Sequence, residues 1–317
     1  MIVTPDMQTS FPPMVVAALT NVCTHACIHC PQRHYSQKKD FNPHYMSCDC
    51  IENIVDEMAH YPHSLLRFCA WGEPCLHPNL TDFVAYAHSR NVKTILLTNG
   101  YLLNEQLSQA LLNAGLTLIE VSIDAASSET YTAVRCCNDP AAFTKVVDNV
   151  ESMIQLRNAV LSSTSIVVSH VTWPNEAGEM EFREFESSWD GKADEVVKRR
   201  LTSFCGTLDS ESVAVPENRV PCYGLWARFN VNPWGKVPIC YNQWEKDKWI
   251  IGDLNEPQST ITSIWTGEQF NQLRKQQKKG IYTGPCENCT DYNPFAWEHP
   301  FEEVVWKVEQ NKKCKFS

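Results

Sequence analysis

Three cysteines fall within eight residues, Cys23-Thr-His-Ala-Cys27-Ile-His-Cys30. Three thiolates on so short a loop can converge on one metal centre without a helix or strand to space them. A cubane iron–sulfur cluster has four irons, so three thiolates leave one iron open, the arrangement of a catalytic site and not of a closed structural one. Zinc is the alternative, with His25, His29 or His34 as a fourth ligand. A second set of thiols stands in the C-terminal half: Cys222, Cys240, Cys286 and Cys289, the last two as a C-x2-C pair. Four cysteines suffice for full ligation with no open position, as an iron–sulfur cluster or as a zinc knot.

The chain has 317 residues and 15 cysteines. Its N-terminus carries Asp6 and prolines instead of an apolar stretch, so no signal peptide is expected and the protein is expected in the cytoplasm. That compartment is reducing, which turns a high, odd cysteine count toward metal or redox chemistry. No stretch is long and apolar enough to suggest a membrane span. The net charge of −10 argues against nucleic acid as a partner, because phosphate backbones are bound by clustered Lys and Arg. The run Lys198-Arg199-Arg200 reads as a solvated strand end.

These residues need elements to position them. Short apolar runs at 14–20, 65–70, 92–97, 118–123, 165–171 and 195–201 read as strands. Helical patterns at 50–60, 80–90, 104–114, 141–157 and 180–189 separate them. Strand–helix alternation predicts an α/β fold with a parallel sheet. Right-handed crossovers would curl six such units into a partial (β/α)6 barrel, with chemistry at the C-terminal ends of its strands. Beyond residue 202 the pattern changes. Arg228–Val231, the turn Pro233-Trp234-Gly235-Lys236 and Val237–Cys240 read as a β-hairpin, and a helix is expected over 263–278. The predicted organisation is a barrel over 1–202 and a small C-terminal domain over 203–317.

The C-x3-C-x2-C loop after the first strand resembles the signature of the radical S-adenosylmethionine superfamily. Further motifs stand in that family's order: Trp71-Gly72-Glu73-Pro74 after the second strand, Thr98-Asn99-Gly100 after the third, Ser122-Ile123-Asp124 ending the fourth, then Tyr131-Thr-Ala-Val-Arg135. The resemblance covers roughly residues 14–200. It implies a [4Fe–4S] cluster held by Cys23, Cys27 and Cys30, whose open iron chelates the methionine end of S-adenosylmethionine. One electron then yields a 5′-deoxyadenosyl radical that abstracts hydrogen from substrate. It also implies an electron donor such as flavodoxin or ferredoxin. Glu73 is expected to meet the methionine ammonium, Arg135 the carboxylate, and Ser122 and Asp124 the ribose hydroxyls. Gly72 and Pro74 shape the loop, with Gly72 letting backbone approach the ligand, and His29 sits where an aromatic residue usually lies near adenine. Asn99 either contacts the cofactor or only serves its turn, and Asp124 can equally be a turn or cap residue. Trp71 departs from the more usual small residue.

The second constellation, with Gly235 five positions before Cys240, resembles the auxiliary-cluster region of the SPASM and twitch families in its shortened, one-cluster form. That resemblance implies an auxiliary [4Fe–4S] cluster on Cys222, Cys240, Cys286 and Cys289. The same spacing resembles aminocyclitol dehydrogenases, which implies oxidation of a hydroxylated small molecule, a sugar or cyclitol. In that reaction the auxiliary cluster takes the second electron. Modification of a ribosomal peptide (epimerisation, thioether or crosslink formation) is the alternative, and a non-catalytic electron-transfer or maturation protein is a third. The thirteen residues before the first strand are too few for a peptide-recognition domain, which favours a small substrate. Cys48, Cys50, Cys69, Cys75, Cys136, Cys137, Cys205 and Cys314 remain, mostly as small buried hydrophobes. Among them Cys75, Cys136 and Cys205 are candidate hydrogen donors, and His170, after the fifth strand, is a candidate base. Asp209, Glu211 and Glu217 read as a solvated linker.

Overall fold

The computed structural model describes residues 9–208, 219–287, 289 and 291. Asp209, Glu211, Glu217 and Cys314 lie outside the described residues. In chain order the elements are β1 (Met14–Ala17), α1 (Gln32–Tyr35), α2 (Cys48–Met58), β2 (Leu65–Phe68), α3 (Leu80–Ser89), β3 (Lys93–Thr98), α4 (Glu105–Asn113), β4 (Leu118–Ser122), α5 (Ser128–Arg135), α6 (Ala142–Ala159), β5 (Ser165–Thr172), α7 (Glu176–Trp189), β6 (Glu195–Arg200), α8 (Gly224–Ala227), β7 (Arg228–Val231), β8 (Lys236–Pro238), β9 (Ile250–Asp253), α9 (Ile261–Trp265) and α10 (Glu268–Lys278). Several helices start where a side chain caps them. Ser47 accepts from the Cys50 N–H, Asn104 from Leu107 and Ser127 from Thr130. α7 begins four residues before its predicted start because Asn175 caps it through the Gly178 N–H.

The predicted α/β architecture with a parallel sheet is present. β1 to β6 lie side by side in chain order, all parallel, as successive crossovers require. Two details differ from the sequence reading. Arg228–Val231 does not form a hairpin with the next strand. It pairs in parallel with β1, Met14 beside Arg228 and Ala17 beside Val231, and makes the sheet seven-stranded. The hairpin forms one strand later, between β8 and β9. The reason is burial: all four residues of β1 are buried, and a strand with no exposed face needs a neighbour on each edge. Similarly, the helix expected over 263–278 is two helices, broken at Gly267, which opens α10 and where a Cβ would stand 2.8 Å from the Ser263 carbonyl.

Alternation along the strands sorts side chains between two cores. Leu66, Phe68, Leu96, Ile119, Val121, Ile166 and Val168 face the helices. Met14, Val16, Leu65, Ile95, Leu118 and Val167 converge on the other face, with Val197 packed against them, so the sheet is curled around them. Its edges, β6 and β7, do not pair with each other. On the concave face Glu120 of β4 is buried between two guanidinium groups. Arg199 donates to both its oxygens at 2.9 Å and Arg67 to Oε2 at 3.2 Å. Burial alone would raise the Glu120 carboxyl, but Arg199 and Arg67 outweigh it and hold it below the ordinary 4.5. A carboxyl lowered on folding stabilises above its ordinary pKa and loses that contribution as pH falls through the folded value. Glu120→Ala is therefore expected to cost about 3 kcal/mol, the low end for a broken buried pair because Arg199 is 28% exposed. Urea midpoints measured across pH should show that loss near neutrality and a shrinking gap to the parent in acid. Among the described residues no helix is long and apolar enough to cross a membrane.

Candidate radical site and auxiliary thiol cluster

The first cysteine loop follows β1 and is pinned by Asn21. The Asn21 side chain donates to the Asn42 carbonyl at 2.8 Å and accepts the His44 N–H at 2.7 Å, while Gln32 donates to its carbonyl at 2.9 Å. The charge of Cys27 raises the pKa of Cys23 and of Cys30, and Cys23 adds to the rise at Cys30. Burial is the larger cause in each. It pushes Cys23 up to about 12 and raises Cys27 and Cys30 as well. Such thiols are protonated when alone and become ligands when a cation compensates them, the condition an iron–sulfur cluster supplies.

Of the neighbouring imidazoles, one is engaged at both ring nitrogens, which takes it out of a zinc donor set. His25 spans the Thr24 hydroxyl at 2.8 Å and the Tyr131 hydroxyl at 3.0 Å, and burial followed by the Arg135 charge lowers its pKa to about 3. His29 Nε2 lies 3.3 Å from Asp124. His34 is exposed on α1. The donor set at the loop is three thiols.

The other predicted residues gather around it. Glu73 is buried and directs its carboxylate at the loop after β3. Oε1 accepts the Thr98 hydroxyl at 2.7 Å and the Cys75 N–H at 3.0 Å, and Oε2 accepts the Asn99 N–H at 2.9 Å. Pro74 follows it as the first residue of a 3-10 turn. Asn99 serves its turn, accepting the Tyr101 N–H at 3.0 Å. It also donates to Thr24 at 2.9 Å and to the Cys23 sulfur at 3.9 Å, so it does more than serve its turn. Ser122, Asp124 and Arg135 form one buried group. Asp124 takes a left-handed conformation at φ +61° and accepts the Val171 N–H at 2.9 Å, both Ser122 contacts and Arg135. Burial would raise the Asp124 carboxyl, but Arg135 and His29 hold it far below the carboxylate range. Arg135 Nε and His29 Nδ1 are buried without a hydrogen-bond partner. Orphaned polar atoms beside three convergent thiols fit a polar ligand seated there.

Four predicted placements change. The close approach that the structure shows at Gly72 is to the cysteine loop: a Cβ there would stand 2.3 Å from the Val22 carbonyl and 2.7 Å from that of Thr20. Gly72→Ala should force these two loops apart, at a cost of about 1–3 kcal/mol. It should also lower the iron retained per chain after anaerobic reconstitution, measured by metal analysis. His170 lies on the helix-facing side of β5, between Phe182 and Phe185 of α7, bonded to Thr172 at 3.0 Å, because it shares the face of Ile166 and Val168. The sheet itself separates it from the concave face, so it is not brought to the site. Cys75 is tied to Thr98 at 3.4 Å and packs against the helix-facing core. Cys205 joins the auxiliary cysteines.

Sequence reading missed Trp173, edge-on to His29 at 5.7 Å, and the role of Trp71. Trp71 stacks on Trp244 at 5.2 Å and meets Tyr35 and Trp234 edge-on at 5.3 and 5.4 Å. The C-terminal region is thereby packed onto the glycine loop that braces Cys23. An indole where a small residue was expected is the available signal.

The second constellation is also brought together. Cys222, held by its N–H to Gln277 at 2.8 Å, shares charge effects with Cys240, Cys286 and Cys289. Burial and these neighbours push Cys222 up to about 12. Cys205 Sγ lies within 4.8 Å of Cys289 Sγ and lines the same cavity as Cys240. The five thiols line a cavity of about 230 Å³ that reaches Arg199 and Arg200 of β6 and Arg228 and Asn230 of β7. The auxiliary thiols thus sit at the open seam of the curled sheet.

A parallel sheet curled around a buried concave face, a three-cysteine loop after its first strand and braced polar loops after the next three define a radical-cofactor barrel. The family model for the radical SAM superfamily matches residues 18–177, and the chain belongs to that superfamily. The iron–sulfur cluster-binding SPASM domain matches residues 222–290. With these come a [4Fe–4S] cluster, S-adenosylmethionine and an auxiliary iron–sulfur site. Fe-coproporphyrin III synthase of Methanosarcina barkeri is 29% identical over 113 residues, 35% of this chain and 27% of that protein. The chain thus spans about a quarter of that curated relative. Two solved structures share the fold. BtrN in complex with AdoMet and 2-DOIA has TM-score 0.59 and 21% identity, covering 89% of this chain and 94% of BtrN. Streptococcus suis SuiB bound to its precursor peptide SuiA has TM-score 0.63 and 12% identity, covering 89% and 70%.

Proposed function

We propose that this radical SAM enzyme is an oxidoreductase acting on a hydroxylated small molecule, a sugar or cyclitol. One observation carries the reading. The auxiliary thiols open onto a cavity lined by both edge strands of the barrel, β6 and β7, so a substrate inside the barrel would have a redox centre at its seam. When bound, the first cluster with S-adenosylmethionine supplies a 5′-deoxyadenosyl radical, and the auxiliary cluster supplies an acceptor for the remaining electron. In this reading Cys23, Cys27 and Cys30 hold the first cluster and Cys222, Cys240, Cys286 and Cys289 the second. Arg135 is the carboxylate partner for the methionine end, the planar role a guanidinium suits. It would exchange part of its contact with Asp124 for the ligand. Asp124 and Ser122 are left to meet the ribose hydroxyls, and His29 with Trp173 forms the wall against adenine. Glu73 acts chiefly by holding the loop after β3 against Cys23 through Thr98 and Asn99, with a lone pair left for the ammonium. A small reduced flavodoxin or ferredoxin is the expected electron donor.

The test is incubation of the reduced, reconstituted protein with S-adenosylmethionine and a panel of sugars and cyclitols. A ketone product formed in step with 5′-deoxyadenosine is expected. Solvent deuterium appearing at a carbon of a peptide substrate would instead establish peptide epimerisation. No 5′-deoxyadenosine under any reductant would leave an electron-transfer or maturation role.

A further inference from the structure

Five thiols surround the auxiliary cavity, but a cubane has one external position on each of four irons. One thiol is supernumerary, and the local architecture is built around it. Cys205 lies with Phe204 and Gly206 in three successive left-handed residues, at φ +57°, +50° and +79°. Two of the three are not glycine, a backbone that persists only where the surroundings hold it. Asp291 does the holding. Its Oδ1 accepts the Ser203 N–H and the Ser203 hydroxyl, and its Oδ2 accepts the Cys205 N–H at 2.8 Å and the Asn242 amide at 3.0 Å. Cys205 Sγ, Cys289 Sγ and an Asp291 oxygen all lie within 4.8 Å of one another. With the Asp291 carboxylate committed to four donors, the metal donors of that triple are the two sulfurs.

We propose that Cys205 and Cys289 are alternative ligands for one iron of the auxiliary cluster, with Cys222, Cys240 and Cys286 fixed. The exchange balances without a redox change. Cys205 gives up its proton and bonds the iron, Cys289 leaves the iron and takes the proton, and cluster charge and electron count are unaltered. The two sulfurs, within 4.8 Å of each other, are near enough to trade places on one iron and to hand over the proton. The exchange deepens the reading of this site as an auxiliary cluster and rests on it.

The test uses the full chain with Cys23, Cys27 and Cys30 replaced by Ala, so that only auxiliary iron is counted after anaerobic reconstitution with ferrous iron and sulfide. Replacing Cys222, Cys240 and Cys286 together by Ala must remove the auxiliary iron; if it does not, the cluster reading itself is wrong. Given that loss, Cys205→Ala and Cys289→Ala should each keep the parent's content of about four irons. Each should show its own electron paramagnetic resonance spectrum on reduction, and the double variant, left with three thiolates and one open iron, should show a third, distinct from both. Loss of iron in Cys289→Ala alone overturns the proposal. A second measurement needs no substitution. In the reconstituted parent, alkylation followed by peptide mapping should find label shared between Cys205 and Cys289. Label on Cys205 alone, or on neither, also overturns it.

Discussion

Cys23→Ala protein, reconstituted and reduced, should form no 5′-deoxyadenosine above background, while the auxiliary site keeps its iron. Removing Cys23 takes one of three thiolates from the loop, and His25, two positions on, is engaged at both ring nitrogens. The comparison that gives the result meaning is Asn99→Ala. Asn99 supports the Cys23 sulfur at 3.9 Å from the next loop, so its removal should cost about 10–100-fold, the usual price of an outer partner of a metal ligand. Chromatographic quantitation of 5′-deoxyadenosine, with iron counted on the same samples, separates the two. Equal residual activity in both variants would mean that Cys23 is not a ligand.

The second large effect is a separation of two activities. Cys286→Ala should cleave S-adenosylmethionine but lose net oxidation, so that product formed per 5′-deoxyadenosine collapses. Cys286 belongs to the thiol set at the seam of the sheet and is remote in sequence from the first loop, so its loss leaves Cys23, Cys27, Cys30, Glu73 and Arg135 in place. Full oxidative turnover by Cys286→Ala would refute an electron-accepting role for the second site. It would do so without touching the assignment of the first.

Local chemistry was legible in the sequence. The first three cysteines, Glu73, Asn99 and Asp124 could be named because each follows a strand at a short spacing, and a parallel sheet gathers such loops. The four auxiliary cysteines were legible for a similar reason, the C-x2-C pair and the glycine turn before Cys240. What stayed hidden depends on partners far along the chain or on the facing of a single strand. His170 seemed available until β5 placed it on the side of Ile166 and Val168. Glu73 carries a motif, but its bonds to Thr98 and the Asn99 N–H exist only once β2 and β3 are adjacent. Cys205 was ambiguous because Asp291, which holds its loop, lies 86 positions away. Arg228–Val231 has an ordinary hairpin context, and nothing local says that its partner is the first strand of the barrel.

That pairing bears on how the protein is made. β1 leaves the ribosome long before β7, yet one of its edges waits for that strand, with Met14 finally beside Arg228. Until then an entirely apolar strand has an unpaired side, a template for association with other chains. A fragment ending near residue 202 would contain every residue of the proposed radical site and still lack the strand that seals its barrel. Such a fragment is expected to aggregate, and nascent chains to depend on chaperones until the second half emerges.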